Sequence, residues 1–161
     1  WESMEMELVY DVCHNIAKIE KHKGKKVCVH RKGATRAYWP GMTDLPKDYS
    51  SVGQPVLIPG SMSTSSYILA GLPGAEETFG SSCHGAGRVM SRSQAIRSFD
   101  STKLQKDMLS GGVYVRATKP HILSEEAGGA YKNVDEVVES VHSAGLAKPV
   151  VKLEPIGVVK G

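Results

Sequence analysis

Two glycines spaced one residue apart follow His84 in the stretch Ser82-Cys83-His84-Gly85-Ala86-Gly87-Arg88, and they commit this part of the chain to a turn. With so little side chain in the way, bare backbone amides can close around one imidazole, with a guanidinium at the far end. A histidine ring nitrogen can attack phosphorus, and fixed N–H groups with an arginine would stabilise the negative charge that builds up. A glycine-rich turn beside a buried histidine explains the heptapeptide more simply, because short glycine motifs recur by chance.

At 161 residues with 40% hydrophobic and 23% charged side chains, the chain reads as one soluble globular domain with enough apolar material for a core. No apolar run approaches the length of a membrane-spanning helix. The acidic start, Trp1-Glu2-Ser3-Met4-Glu5-Met6-Glu7, lacks the basic and apolar regions of a secretion signal, so a cytoplasmic location is expected. Cys13, Cys28 and Cys83 are odd in number and scattered, which fits neither a disulfide framework nor a zinc knuckle. The net charge of +3 is unevenly spread. Lys18, Lys21, Lys23, Lys25, Lys26, Arg31, Lys32 and Arg36 crowd the first quarter, while Arg88, Arg92 and Arg97 follow the glycine motif. Such clusters attract polyanions, although a run of lysines also suits a solvated hairpin tip.

Both kinds of secondary structure are expected, without a βαβ rhythm. Residues from about Leu8 to Lys18 read as helical, and Lys26 to Arg31 alternate as a half-buried strand does. Trp39 to Ser51, with Pro40, Gly41 and Pro46, reads as an irregular loop. Two apolar runs, Pro55–Ile58 and Tyr67–Ala70, flank a turn dense in hydroxyls and backbone donors, Pro59-Gly60-Ser61-Met62-Ser63-Thr64-Ser65-Ser66. The clearest helix has Asn133 as its cap and Glu136 three residues on. Val134, Val137, Val138 and Val141 share one face, and Gly145 stops the run. Val150–Leu153 and Ile156–Lys160 are extended and interrupted at Pro155. The expectation is one α+β unit over residues 1–161, with antiparallel strands, a few helices and no internal boundary.

The other histidines are weighed against duller roles. His14 and Asn15 lie together, where an imidazole could ligate a metal or a carboxamide could bind phosphate, yet one histidine does not make a metal site. Cys13, next to it on the expected helix, points elsewhere and reads as a small core residue. His22, His121 and His142 sit among polar or helix-surface residues with no special role expected, and His30 is undecided between the two.

Five segments in order resemble one family. They are Val29–Ala37 (VHRKGATRA), Gly53–Met62 (GQPVLIPGSM), Cys83–Arg88 (CHGAGR), Ala130–Val134 (AYKNV) and Pro155–Gly161 (PIGVVKG). Together they look like the C-terminal portion of the RtcB family of RNA-splicing ligases, the similarity running from His14 to the last residue. The resemblance implies a larger RtcB-like fold. It also implies a GTP- and manganese-dependent ligase that joins an RNA 3′-phosphate or 2′,3′-cyclic phosphate to a 5′-hydroxyl, in tRNA splicing and RNA repair. His84 matches the histidine that takes GMP from GTP and hands it to the RNA 3′-phosphate. His14 matches a manganese ligand and Asn15 a nucleotide contact beside it. Pro59, Gly60, Ser61, Met62 and Ser66 match the guanylate-binding turn, and Gly85, Ala86 and Gly87 its phosphate-side backbone. Tyr131 and Lys160 match positions around the guanine. Arg31, Lys32, Arg88 and Arg92 would be charge partners for phosphates or RNA.

Two departures accompany the match. Ser63 stands where the family turn has glycine, and the family's remaining metal ligands, including a bridging cysteine, lie upstream of anything here. The start at Trp1 without an initiator methionine therefore suggests either a fragment or a piece paired with a separate N-terminal portion, inactive by itself. An archease-type activator is a further partner that the resemblance implies. The alternative is a non-catalytic guanine-nucleotide or RNA-binding module, and the weakest reading is a general anion-binding fold.

Overall fold

Strand β1 (Asn15–His22) and strand β2 (Lys25–Lys32) form an antiparallel hairpin in which all eight residues of each are paired. Lys23 and Gly24 join them, both at positive φ (47° and 79°), as a two-residue turn matched to strand twist demands. The computed structural model describes residues 2–161. The helix expected from about Leu8 to Lys18 is absent. Residues 6–13 are irregular and the strand begins at Asn15, because pairing along the whole of β2 outweighs a local helical pattern. Cys13 is exposed rather than part of the core.

Strand β3 (Ala34–Arg36) turns away from the hairpin and pairs with β6 (Ser81–Cys83), the strand that delivers His84. Between them, β4 (Pro55–Ile58) and β5 (Ser66–Gly71) are antiparallel neighbours, and β8 (Ala147–Leu153) adds to the other side of β5. The irregular 39–51 loop is as expected apart from a short 3-10 turn, Lys47–Tyr49. No helix among the described residues is long and apolar enough to cross a membrane.

Two cores hold these pieces. In the first, Val56, Ile58 and Leu69 from the inner face of β4 and β5 meet Val134, Val138 and Val141 of the helix Val134–Ser143. Asn133 caps that helix by accepting from the Asp135 N–H, and Gly145, at φ 69°, ends it: its N–H reaches the His142 carbonyl while the Leu146 N–H reaches that of Val141. Asn133→Ala should lower stability by about 1 kcal/mol, read from urea midpoints at constant slope.

The second core gathers Met62, Met108, Val115 and Leu123. It is built from α1 (Arg92–Ser98), α2 (Ser101–Ser110), strand β7 (Tyr114–Ala117) and α3 (Pro120–Glu125), so the Val134–Ser143 helix is α4. Ser91 and Asp100 cap α1 and α2 through the N–H groups of Gln94 and Lys103. Strand β9 (Gly157–Lys160) runs parallel to β7, in addition to the antiparallel pairs that were expected. The intervening α3, α4 and β8 supply the long crossover that parallel strands need.

Candidate functional site

Gly33 ties two histidines together. Its N–H donates to the His14 carbonyl (3.1 Å), and its own carbonyl accepts from the His84 N–H (3.2 Å). At φ 67° it holds a left-handed bend that suits glycine, placing the end of the β1–β2 hairpin beside the end of β6. The two imidazoles consequently stack, with centroids 3.8 Å apart and planes 20° from parallel. Burial, and then the charge of His14, pushes the His84 ring below its ordinary value of 6.5. A neutral ring keeps the lone pair that a nucleophile needs. Burial raises the neighbouring Cys83 thiol, so no thiolate competes for that role.

The glycines behind His84 leave backbone uncovered. Among the described residues no backbone carbonyl accepts from the N–H of Ala86 or Gly87, and a Cβ at Gly87 would meet nothing within 4 Å. Two adjacent free donors beside a neutral imidazole are suited to phosphate oxygens. Gly85 faces the serine turn, where a Cβ would lie 3.6 Å from the Pro59 carbonyl oxygen.

The serine turn holds the hydroxyls of Ser61, Thr64 and Ser66 within itself, while Ser65 Oγ donates to Glu154 at 2.8 Å. Ser66 Oγ accepts from the Gly60 N–H (3.1 Å) and Thr64 Oγ1 from the Ser61 N–H (2.7 Å), while Ser61 Oγ and Thr64 Oγ1 share a hydrogen bond of 3.0 Å. Gly60 has no room for a side chain, since a Cβ would come within 1.9 Å of the Ser65 oxygen. Met62 is packed into the second core, so its side chain is not free to meet a ligand. Ser63 does not adopt a positive φ, so the turn closes here without glycine. Its hydroxyl lies against Gly128, where a Cβ would fall 2.2 Å away.

Tyr131 is joined to the His84 loop by backbone. The Lys132 N–H donates to the Gly87 carbonyl and the Val89 N–H to that of Ala130, each at 2.9 Å. Arg88 lies over the Tyr131 ring, 4.6 Å from its centroid, and donates to the hydroxyl at 2.7 Å. That hydroxyl donates in turn to Glu126 (2.6 Å), whose carboxylate also meets Arg88 at 3.5 Å and Lys160 Nζ at 3.7 Å. Tyr131, Arg88 and Lys160 thus converge on one carboxylate. Burial and the Glu126 charge raise the Tyr131 phenol.

Three expected charge partners are otherwise engaged. Arg31 is buried, forking onto both oxygens of Glu20 at 2.8 Å and donating through Nε to Ser81 Oγ (2.9 Å). Its place on the inward face of β2 removes it from any ligand. His22, which sits among polar residues in the sequence and was expected to have no special role, is also buried and hydrogen-bonded to Glu20 at 2.9 Å. Arg88 is spent on Tyr131, Glu126 and the carbonyls of Met90 and Glu125, and Arg92 pairs with Glu125 at 2.8 Å. Lys32 and Asn15 are exposed and directly paired across the hairpin, with Asn15 next to His14. Gly33 lies inside the VHRKGATRA segment, but its role depends on a contact between distant strands. Glu126 carried no sequence signal.

Among the described residues no three His, Cys, Asp or Glu side chains converge on a metal position. The family model described as tRNA-splicing ligase RtcB matches residues 1–161. A tRNA-splicing ligase RtcB of Thermococcus kodakarensis is 58% identical over 165 aligned positions, covering 99% of this chain and 34% of that protein. The same figures hold for the Archaeoglobus fulgidus protein of that name. For Pyrococcus furiosus the identity is 59% over 97% of this chain and 17% of the relative. The chain thus spans about a third or less of the curated relatives it matches, corresponding to their C-terminal part. Matched along its whole length, this chain belongs to the RtcB family.

Proposed function

We propose that the chain is the guanylate-accepting part of a GTP- and manganese-dependent RNA ligase. The enzyme would join 3′-phosphate or 2′,3′-cyclic phosphate ends to 5′-hydroxyl ends, with His84 as the nucleophile. The observation that carries this reading is the His84 ring stacked on His14 and followed by two unengaged amides, in surroundings whose burial favours the neutral imidazole. Membership of a family whose relatives are named tRNA-splicing ligases supports the RNA-ligase class.

In this reading a ring nitrogen of His84 forms a bond to the α-phosphorus of GTP as the bond to pyrophosphate breaks, with the proton retained on the other ring nitrogen. The Ala86 and Gly87 N–H groups hold the non-bridging oxygens, where charge accumulates. Lys160 and Tyr131 offer an ammonium and a ring face suited to a guanine. The bond from the His84 nitrogen to phosphorus then breaks as an oxygen of the RNA 3′-phosphate takes the guanylyl group, a cyclic end having first been opened to the 3′-phosphate by water. The 5′-hydroxyl oxygen attacks the RNA phosphorus, its proton passing to solvent, and GMP leaves. When bound, manganese would neutralise phosphate charge. His14 is a single donor, so this chain alone does not fit the metal and no step above passes through it.

The test is incubation with GTP labelled at the α-phosphate, with manganese, followed by denaturing electrophoresis. A full-length protein made by placing the N-terminal two-thirds of the Thermococcus relative before this chain should take covalent label, and the 161-residue chain alone little or none. Absence of label from the full-length protein would favour a non-catalytic module, read as saturable GMP binding. Because the His84 ring loses its proton more readily than an ordinary imidazole, labelling should persist as pH falls below 6.5. An acid limb with its midpoint at or above 6.5 would contradict the depressed ring.

A further inference from the structure

The strand Pro55-Val56-Leu57-Ile58 is apolar at every position, and Ile68-Leu69-Ala70 on β5 continues the pattern. An antiparallel sheet with one face in water alternates apolar and polar residues, whereas an unbroken apolar run belongs to strands covered on both sides. Here α4 covers only the inner face, burying Val56, Ile58 and Leu69. On the other side Leu57 pairs with Ile68 across the ladder, and together with Pro55, Val150, Val52 and Val9 they line an open groove of about 570 Å³. Val9, Val52 and Val150 are 83%, 49% and 63% exposed. An apolar groove flanked by several exposed valines marks a contact surface.

We infer that this outer face of the β4–β5–β8 sheet seats the polypeptide that precedes the matched region in the full-length relatives. Those relatives are about three times as long as the chain at 34% coverage, so a partner of sufficient size belongs to the same family architecture. The sheet pattern asks for an apolar layer rather than a charged one. Among the described residues Lys148 is the one charged residue lining the groove. The inference rests on family membership and strand chemistry, and is independent of whether His84 accepts guanylate.

The experiment is photochemical carbene labelling of side chains, read by mass spectrometry, on the full-length chimera and on this chain alone. In the chimera, Leu57, Ile68 and Val150 should be labelled as weakly as the inner-face Val56 and Leu69. They should fall at least about fivefold below Phe79 and Leu109, exposed residues outside the groove. The chain alone should be monomeric and labelled on the groove. Outer-face labelling in the chimera equal to that of Phe79 would overturn the inference. So would a dimeric chain with its groove already protected, since a second copy would then be the occupant. Low labelling of Val56 and Leu69 verifies the fold. Should the chimera be insoluble, the Thermococcus protein itself gives the same readout at the aligned positions.

Discussion

Replacing His84 with alanine is expected to abolish covalent guanylate capture by the full-length protein, a loss of at least about 1,000-fold in labelling rate. No neighbouring group can substitute. The His14 ring is stacked on the lost imidazole and does not precede the Gly85–Gly87 backbone as His84 does, and the Cys83 thiol is held protonated by burial. The fold should survive, because the His84 side chain is only half-buried while its backbone N–H keeps its bond to Gly33. Circular dichroism and the thermal midpoint check that point. Undiminished label in His84→Ala would assign the nucleophile elsewhere.

The largest stability effect is expected at Arg31, where truncation to alanine should cost about 3–5 kcal/mol by stranding a buried carboxylate. Burial alone would raise the Glu20 carboxyl, but hydrogen bonds from Arg31 and His22 outweigh it and hold it at about 2. The stabilisation from Glu20 is therefore complete above the ordinary value of 4.5 and fades as pH falls toward 2. Arg31→Lys should not restore the loss, since one ammonium cannot reproduce a fork that also reaches Ser81 Oγ and the Phe79 carbonyl. Replacing both Arg31 and Glu20 with apolar residues should cost less than Arg31→Ala alone, because no charge is then left unpaired. Urea unfolding of the four proteins at pH 7 measures this. A loss under about 1 kcal/mol in Arg31→Ala would show the pair to be solvated.

Helix α4 was legible because its cap, valine stripe and terminal glycine lie within one short segment, and β4 and β5 because each is a bounded apolar run. The hairpin that begins at Asn15 was not. Residues 8–18 have a helical spacing, and only the eight-residue partner strand from Lys25 overrules it. The helices Arg92–Ser98 and Ser101–Ser110 had readable caps in Ser91 and Asp100, but no apolar stripe strong enough to announce them. His22 and Arg31 look like surface residues in a lysine-rich stretch. Alternate positions on two paired strands turn both inward onto Glu20.

Local chemistry, written in order along the chain, sufficed for the family, for the His84 nucleophile proposal and for the turns that only glycine permits. The tertiary structure decided which charges are available: it buried Arg31, folded Arg88 onto Tyr131, and joined His14 to His84 through Gly33. Such outcomes depend on contacts between residues tens of positions apart, whose pairing energies no local window of sequence contains.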